Sequence, residues 1–209
     1  MARRVLLFML LAAVAGLAQT VNCVVAIVNG EIITRLDVEV AVEFGLGQDP
    51  AAEPGADPRM AALDALIGRK IVLALARDVR GVSGEELDAA VSGLRQALGE
   101  DAYAAKLAKF GLADKDIAAY LEDRILYERA LALRFSQSIP VSVTEVERNY
   151  RDIYVPEQAR LGAAAEPIDR VAGALESRIR NERRAHQTAD WIRDLRSRAA
   201  IQIKKDCLK

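Results

Sequence analysis

Few side chains in this sequence could do covalent or acid–base chemistry. The only histidine, His186, stands among Arg183, Arg184 and Gln187. A lone imidazole works as a general base only when the fold brings a nucleophile and an orienting carboxylate to it. No pattern flags such partners, so His186 reads as one residue of a charged helix face. One histidine and two cysteines, Cys23 and Cys207, do not make a tetrahedral metal set, and no acidic run has the spacing of a calcium loop. Gly45-Leu46-Gly47 follows a helical stretch and lacks the lysine of a phosphate loop. These patterns predict no catalytic residue, no cofactor and no metal ligand; the expectation is a protein that is not an enzyme.

Chemistry of another kind is on offer. Tyr120 and Tyr127 lie seven residues apart in a helical stretch, so they share one face, with Phe135 somewhat further round. Such a face could present apolar surface and hydroxyls to an extended peptide, as aromatic residues do at interfaces. Tyr120, Tyr127 and Phe135 are therefore the candidate peptide-binding residues, against the simpler reading of core packing with hydroxyls at the rim. Trp191 reads as a core anchor that packs with Leu195 against the N-terminal helices.

The elements that must position these residues are mostly helical. Of the 209 residues 52% are hydrophobic and only 5% aromatic, which points to an aliphatic, alanine-rich core and favours helices over sandwiches. The net charge of -1 is spread with both signs interleaved, so no basic block points to nucleic acid. Residues 1–18 carry Arg3 and Arg4, then an apolar run and small residues, the pattern of a cleaved secretory signal peptide. The run is too short for a membrane anchor. Export would place the cysteines where a disulfide can persist. Before Cys23, Thr20-Val21-Asn22 lacks the residues that a lipid-attachment site prefers.

Val24 to Val28 predicts a strand, Asn29-Gly30 a type I′ turn, and 31–33 a returning strand. Thr34 with Asp37 then opens a helix to about Phe44. Residues 48–58, rich in Pro, Gly, Ala and acid, form a connection. Pro58 starts a second helix to about Gly81, with an aliphatic stripe from Met60 to Leu75. Ser83 and Glu86 cap a third that ends at Gly99, and 102–110 form a short fourth. Asp114 is expected to cap a long helix through Ile117, Leu121, Ile125 and Leu131. Ser142 and Glu145 start another, which Pro156 is expected to stop. A connector and a last helix, 167–197, follow.

Residues 199–205 alternate again and predict a third strand. Two isolated strands are marginal in water, and an antiparallel third strand would complete them. With Ile27 opposite Ile203, Cys23 comes opposite Cys207 at the end of the ladder, within disulfide reach. The alternative is a pair of free thiols. Two-strand closure of this sort makes both chain ends parts of one unit.

This order of parts resembles the SurA family of periplasmic chaperones. The resemblance is carried by VVAIVNGEIITRLDVE, by LDALIGRKIVLALARDVRGVSGEELDAAVSGL, by YLEDRILYERAL with VTEVERNY, and by ERRAHQTADWIRDLRSRAAIQI near the C-terminus. It covers two blocks, 24–154 and 168–204. Members commonly carry parvulin-type prolyl isomerase domains between these blocks. Here the gap is 155–167, and a domain needs at least ~50 residues, so isomerase activity is not implied. The resemblance implies a mainly α chaperone core with a small β-sheet joining N- and C-terminal strands. That single domain spans 19–209: strand, hairpin and helices over 19–155, a connector over 156–166, and the closing helix and strand over 167–209. It also implies ATP-independent binding of unfolded outer-membrane β-barrel proteins in the periplasm, through an apolar cleft. The rival expectation is an envelope interaction module, homodimeric or with one fixed partner.

Overall fold

The computed structural model describes residues 23–47, 55, 57–76, 79–137 and 139–208. The expected signal segment 1–18 and most of the 48–58 connection lie outside the described residues. The chain is mainly α, with a three-stranded antiparallel sheet in which the first strand is central.

β1 (Val24–Val28) and β2 (Glu31–Thr34) form the hairpin. Asn29 and Gly30 have φ of 50° and 90°, the two positive values that a type I′ turn requires and that Asn-Gly accepts most readily. Thr34 ends β2 and caps α1 (Arg35–Glu43). Its hydroxyl accepts from the Asp37 N–H at 3.2 Å, and the Asp37 carboxylate accepts from the Thr34 N–H at 2.7 Å, so both orphan donors of the first turn are satisfied. After α1 the chain crosses α2 (Pro58–Leu75) at Gly47. A methyl group there would stand 2.6 Å from the Ala62 Cβ, so only glycine permits this crossing.

α2 stops at Leu75, short of the expected Gly81. Its ladder closes on a tighter i→i−3 bond, with the Ala76 N–H donating to the Leu73 carbonyl at 3.1 Å. Further along, Arg129 donates to the carbonyls of Arg80 and Gly81 at 2.9 and 2.7 Å and holds the segment that leads to α3. α3 (Gly84–Leu98), α4 (Glu100–Phe110) and α5 (Asp114–Arg134) follow. Asp114 is the first residue of α5 and not its cap; Asp116 accepts from the Ala113 N–H instead. The Asp114 carboxylate faces Arg95 and the Tyr103 hydroxyl, at 2.6 and 2.8 Å.

Pro156 does not stop the next helix. α6 (Val143–Asn149) widens into a π-helical turn over Tyr150–Tyr154 and continues as α7 (Val155–Arg160). Proline removes one N–H from an α-ladder. The π turn shifts the ladder, with the Val155 N–H donating to the Tyr150 carbonyl, and Pro156 then sits in the first turn of α7, where its missing donor does little harm. The connector is therefore shorter than the expected 156–166.

α8 (Ile168–Arg198) is 31 residues long, about 46 Å at 1.5 Å per residue. It leads to β3 (Ile201–Ile203), which pairs with β1, and to a 3₁₀ turn over Lys205–Leu208. The register is one residue off the expected one: Ala26 faces Ile203 and Ile27 faces Gln202. Cys23 and Cys207 still meet as a disulfide, with Cα atoms 5.8 Å apart. The 3₁₀ turn makes up the difference, since a straight strand in this register would have put Asp206 opposite Cys23.

Three buried clusters result. Val25, Val28, Ile33, Val38, Leu63 and Ile67 join the sheet to α1 and α2. Val40, Phe44, Tyr103, Ile117 and Leu121 join α1 to α3, α4 and α5. Val146, Leu175 and Ile179 hold α6 to the first half of α8.

Candidate functional site

A cleft of about 260 Å³ lies between the outer edge of β2 and α5, floored by α2. Ile32 of β2, Leu66 and Arg69 of α2, and Tyr120 and Asp123 of α5 line it. Polar contacts bridge its walls. Lys70 of α2 reaches Glu31 on β2 at 3.2 Å and Asp123 on α5 at 3.3 Å. Burial works against the Lys70 ammonium, but Asp123 and Glu31 outweigh it and its pKa is raised. Tyr120 donates its hydroxyl to the Asp37 Oδ1 at 2.7 Å. Burial and the neighbouring Asp37 push the Tyr120 phenol well above its ordinary range, so Tyr120 acts as a neutral donor and apolar wall.

Two residues in this cleft are unusual. Ile32 is a large aliphatic side chain with 54% of its surface exposed. Arg69 is only 6% exposed; its Nη2 donates to the Leu46 carbonyl at 2.7 Å, while its Nε has no hydrogen-bond partner among the described residues. Burial lowers the Arg69 pKa, and nearby Asp123 opposes that shift. A buried cationic donor without an acceptor is costly, so Arg69 is a point of uncompensated cost beneath the cleft.

The expected aromatic face is divided. Tyr120 lines the cleft. Tyr127 is half-buried, close enough to Arg69 to act on its charge. Phe135 packs edge-on against Trp191, ring centroids 5.7 Å apart, with the Arg134 guanidinium over the Trp191 ring. Trp191 thus anchors α8 to the end of α5, while Leu195 enters the sheet cluster. Sequence reasoning missed Ile32 and Arg69. Ile32 had a signal, being the apolar residue of β2 whose parity opposes the core-facing Ile33. Arg69 had none, because a charged residue within an aliphatic stripe reads as solvent-facing.

Another cleft, of about 320 Å³, lies between α6 and α8 and is lined by Glu145, Asp152, Glu182, Arg183 and His186 among others. Arg183 pairs with Glu145, and Arg178 with Glu182. Among the described residues no group of three or more potential metal-ligating side chains comes together. No described helix is long and apolar enough to cross a membrane. No protein-family model matches the chain, and no curated protein matches it.

Proposed function

We propose that the chain is a periplasmic, SurA-like chaperone core. In this reading it binds unfolded outer-membrane-type proteins without ATP, using the cleft between β2 and α5, and has no prolyl isomerase activity. The observation that carries the reading is the exposed Ile32 beside a ready-made cleft, on a scaffold whose two ends are tied together. Surface of this kind suits weak, sequence-tolerant contacts, because it offers apolar area and hydrogen-bonding groups without a closed pocket. β-barrel precursors present alternating apolar residues while unfolded, and such segments match the cleft. A disulfide joining the ends accords with an oxidising compartment. The short span between α7 and α8, too short for a domain of ~50 residues, supports the part of this reading that has no isomerase activity.

The test is aggregation of a urea-diluted outer-membrane β-barrel protein, followed by light scattering with the purified mature chain present. The chain should delay aggregation. Ile32→Glu should weaken the effect, whereas Leu161→Glu, at a position 77% exposed beyond α7, should leave it intact. Co-purification of one stoichiometric partner in place of many substoichiometric ones would refute the chaperone reading in favour of a dedicated interaction module. Acceleration of a proline-limited refolding reaction would refute the absence of isomerase activity.

A further inference from the structure

The backbone of β2 presents one residue to this cleft. The turn at Asn29-Gly30 is flanked by the pair Val28 and Glu31, and a two-residue hairpin makes its flanking pair hydrogen-bonded. The next pair, Ile27 with Ile32, is then the non-bonded kind, so the N–H and C=O of Ile32 point away from β1. The other edge of β1 agrees: Asn29 donates to the Ala200 carbonyl at 2.9 Å, and Lys204 donates to the Val25 carbonyl at 2.7 Å. The odd-numbered residues of β1 therefore turn to β3, and Ala26 and Val28 to β2. Neither backbone group of Ile32 has a backbone partner among the described residues beyond the hairpin. At the far end of β2 the outward N–H of Thr34 is already taken by Asp37.

From this edge we infer that the cleft takes an extended polypeptide segment as an added strand. The segment pairs through its own backbone with the N–H and C=O of Ile32, setting one side chain beside Ile32 and turning the next toward Leu66. This rests on the chaperone reading and names how that reading's ligand is held. Charge selects the occupant. Asp37, Glu122 and Asp123 line the cleft together with Arg69 and Lys70, and Lys70 is already paired with Asp123 and Glu31, so little positive charge is left to draw an anionic ligand. A neutral backbone adds no negative charge beside those carboxylates. A second copy of the chain is a poor occupant. β2 is four residues long, far below the roughly 20–30 residues per partner of a stable interface. The opposite edge of the sheet, along β3, carries the exposed Lys204, a side chain typical of edges kept unpaired.

The experiment uses the mature disulfide-bonded chain and a capped, fluorescein-labelled nonapeptide in which valine alternates with serine. Anisotropy gives its affinity, and peptides each carrying one backbone N-methyl group scan the hydrogen bonds. Strand addition predicts a period-two pattern, with methylation at alternate positions weakening binding about tenfold and the intervening positions tolerating it. Amide exchange should slow at Ile32 when peptide is added. Ile32→Pro, which removes the outward N–H but no bond to β1, should weaken binding similarly, while Ile32→Val should stay within about twofold. A uniform scan, or protection of Ile201 and Ile203 in place of Ile32, overturns the inference and leaves the chaperone reading standing. Aggregation suppressed without any peptide binding does the same. Loss of both binding and suppression in the wild-type chain overturns both.

Discussion

At its C-terminal end α8 feeds Leu195 into a cluster where Val25, Leu63 and Ile67 have no exposed surface. At its N-terminal end Leu175 and Ile179 share a small cluster with Val146, rimmed by half-buried residues such as Val141 and Tyr150. Much of the remaining contact there is polar. Arg178 grips Glu157 through two hydrogen bonds, at 2.8 and 2.9 Å. Arg183 holds Glu145 and the Pro140 carbonyl, and Tyr150 stacks on Tyr154. The side chains of Arg178 and Glu157 are each 38% exposed, so that pair belongs to the class of surface bridges contributing about 1 kcal/mol or less. One helix therefore joins an end held by aliphatic burial to an end held by water-accessible charge. The difference implies unequal local stability: the continuous α6–α7 helix should open from α8 before the sheet and its helices do.

The disulfide is the largest lever on the contrast. It spans 184 residues of sequence, and the loop-entropy model assigns a closure of that length on the order of 5 kcal/mol. A chain with Cys23→Ser and Cys207→Ser should therefore lose several kcal/mol in a guanidinium melt, whereas amide exchange within α6 should hardly change. Equal melts would mean that the β1–β3 pairing and Leu208 alone hold the ends.

Cavity mutations sharpen the same contrast. Leu63→Ala should destabilise the whole molecule by about 2–5 kcal/mol, seen as a shifted global midpoint. Leu175→Ala removes the same atoms at the other end of α8. Its effect should appear as faster exchange in α6 and α7, about 2 kcal/mol in local opening, with the global midpoint nearly unmoved. Equal global shifts from both would erase the distinction between the two ends.

How far these regions were legible in the sequence follows the same division. The hairpin, the capping boxes at Thr34, Ser83 and Ser142, and the meeting of the cysteines could all be read, because each depends on local chemistry or on period-two parity. The mainly α class followed from composition and aliphatic spacing. Failures came where no local residue marks the outcome. α2 ends at Leu75 with no glycine or proline to announce it, and the chain passes through Pro156 by a π turn that no residue pattern announces. The one-residue slip of β3 was hidden because β1 is apolar at every position, so Ile201 and Ile203 meet apolar partners in either register, and a 3₁₀ turn absorbs the error. Of the candidate site, Tyr120 was placed in advance. Arg69 was not, since its burial depends on where the Leu46 carbonyl comes to lie.

Acid is the finest probe of the polar end. Glu145 accepts from the Ser142 N–H and hydroxyl and pairs with Arg183, which together hold its carboxyl at about 2, below the ordinary 4.5. A carboxyl whose pKa is depressed on folding contributes stability above its unfolded value and loses that contribution as pH falls through the folded one. The α6 end should accordingly loosen between about pH 4.5 and 2, read as faster proton exchange in α6 after correction for intrinsic rates. Glu43, held at about 2 by Lys109 and Lys106, titrates over the same window but ties α1 to α4, so its loss should leave α6 unaffected. Glu145→Gln separates them. Glutamine can still serve a capping box, so the variant should keep most of the helix start while removing the acid-dependent part of the α6 opening. High salt should reproduce only the smaller share due to Arg183, because a Debye length of about 3 Å at 1 M screens an exposed pair and leaves a short backbone hydrogen bond in place. If Glu145→Gln keeps the full acid response of α6, the polar grip on that end lies in another carboxylate, with Glu157 next to be tested.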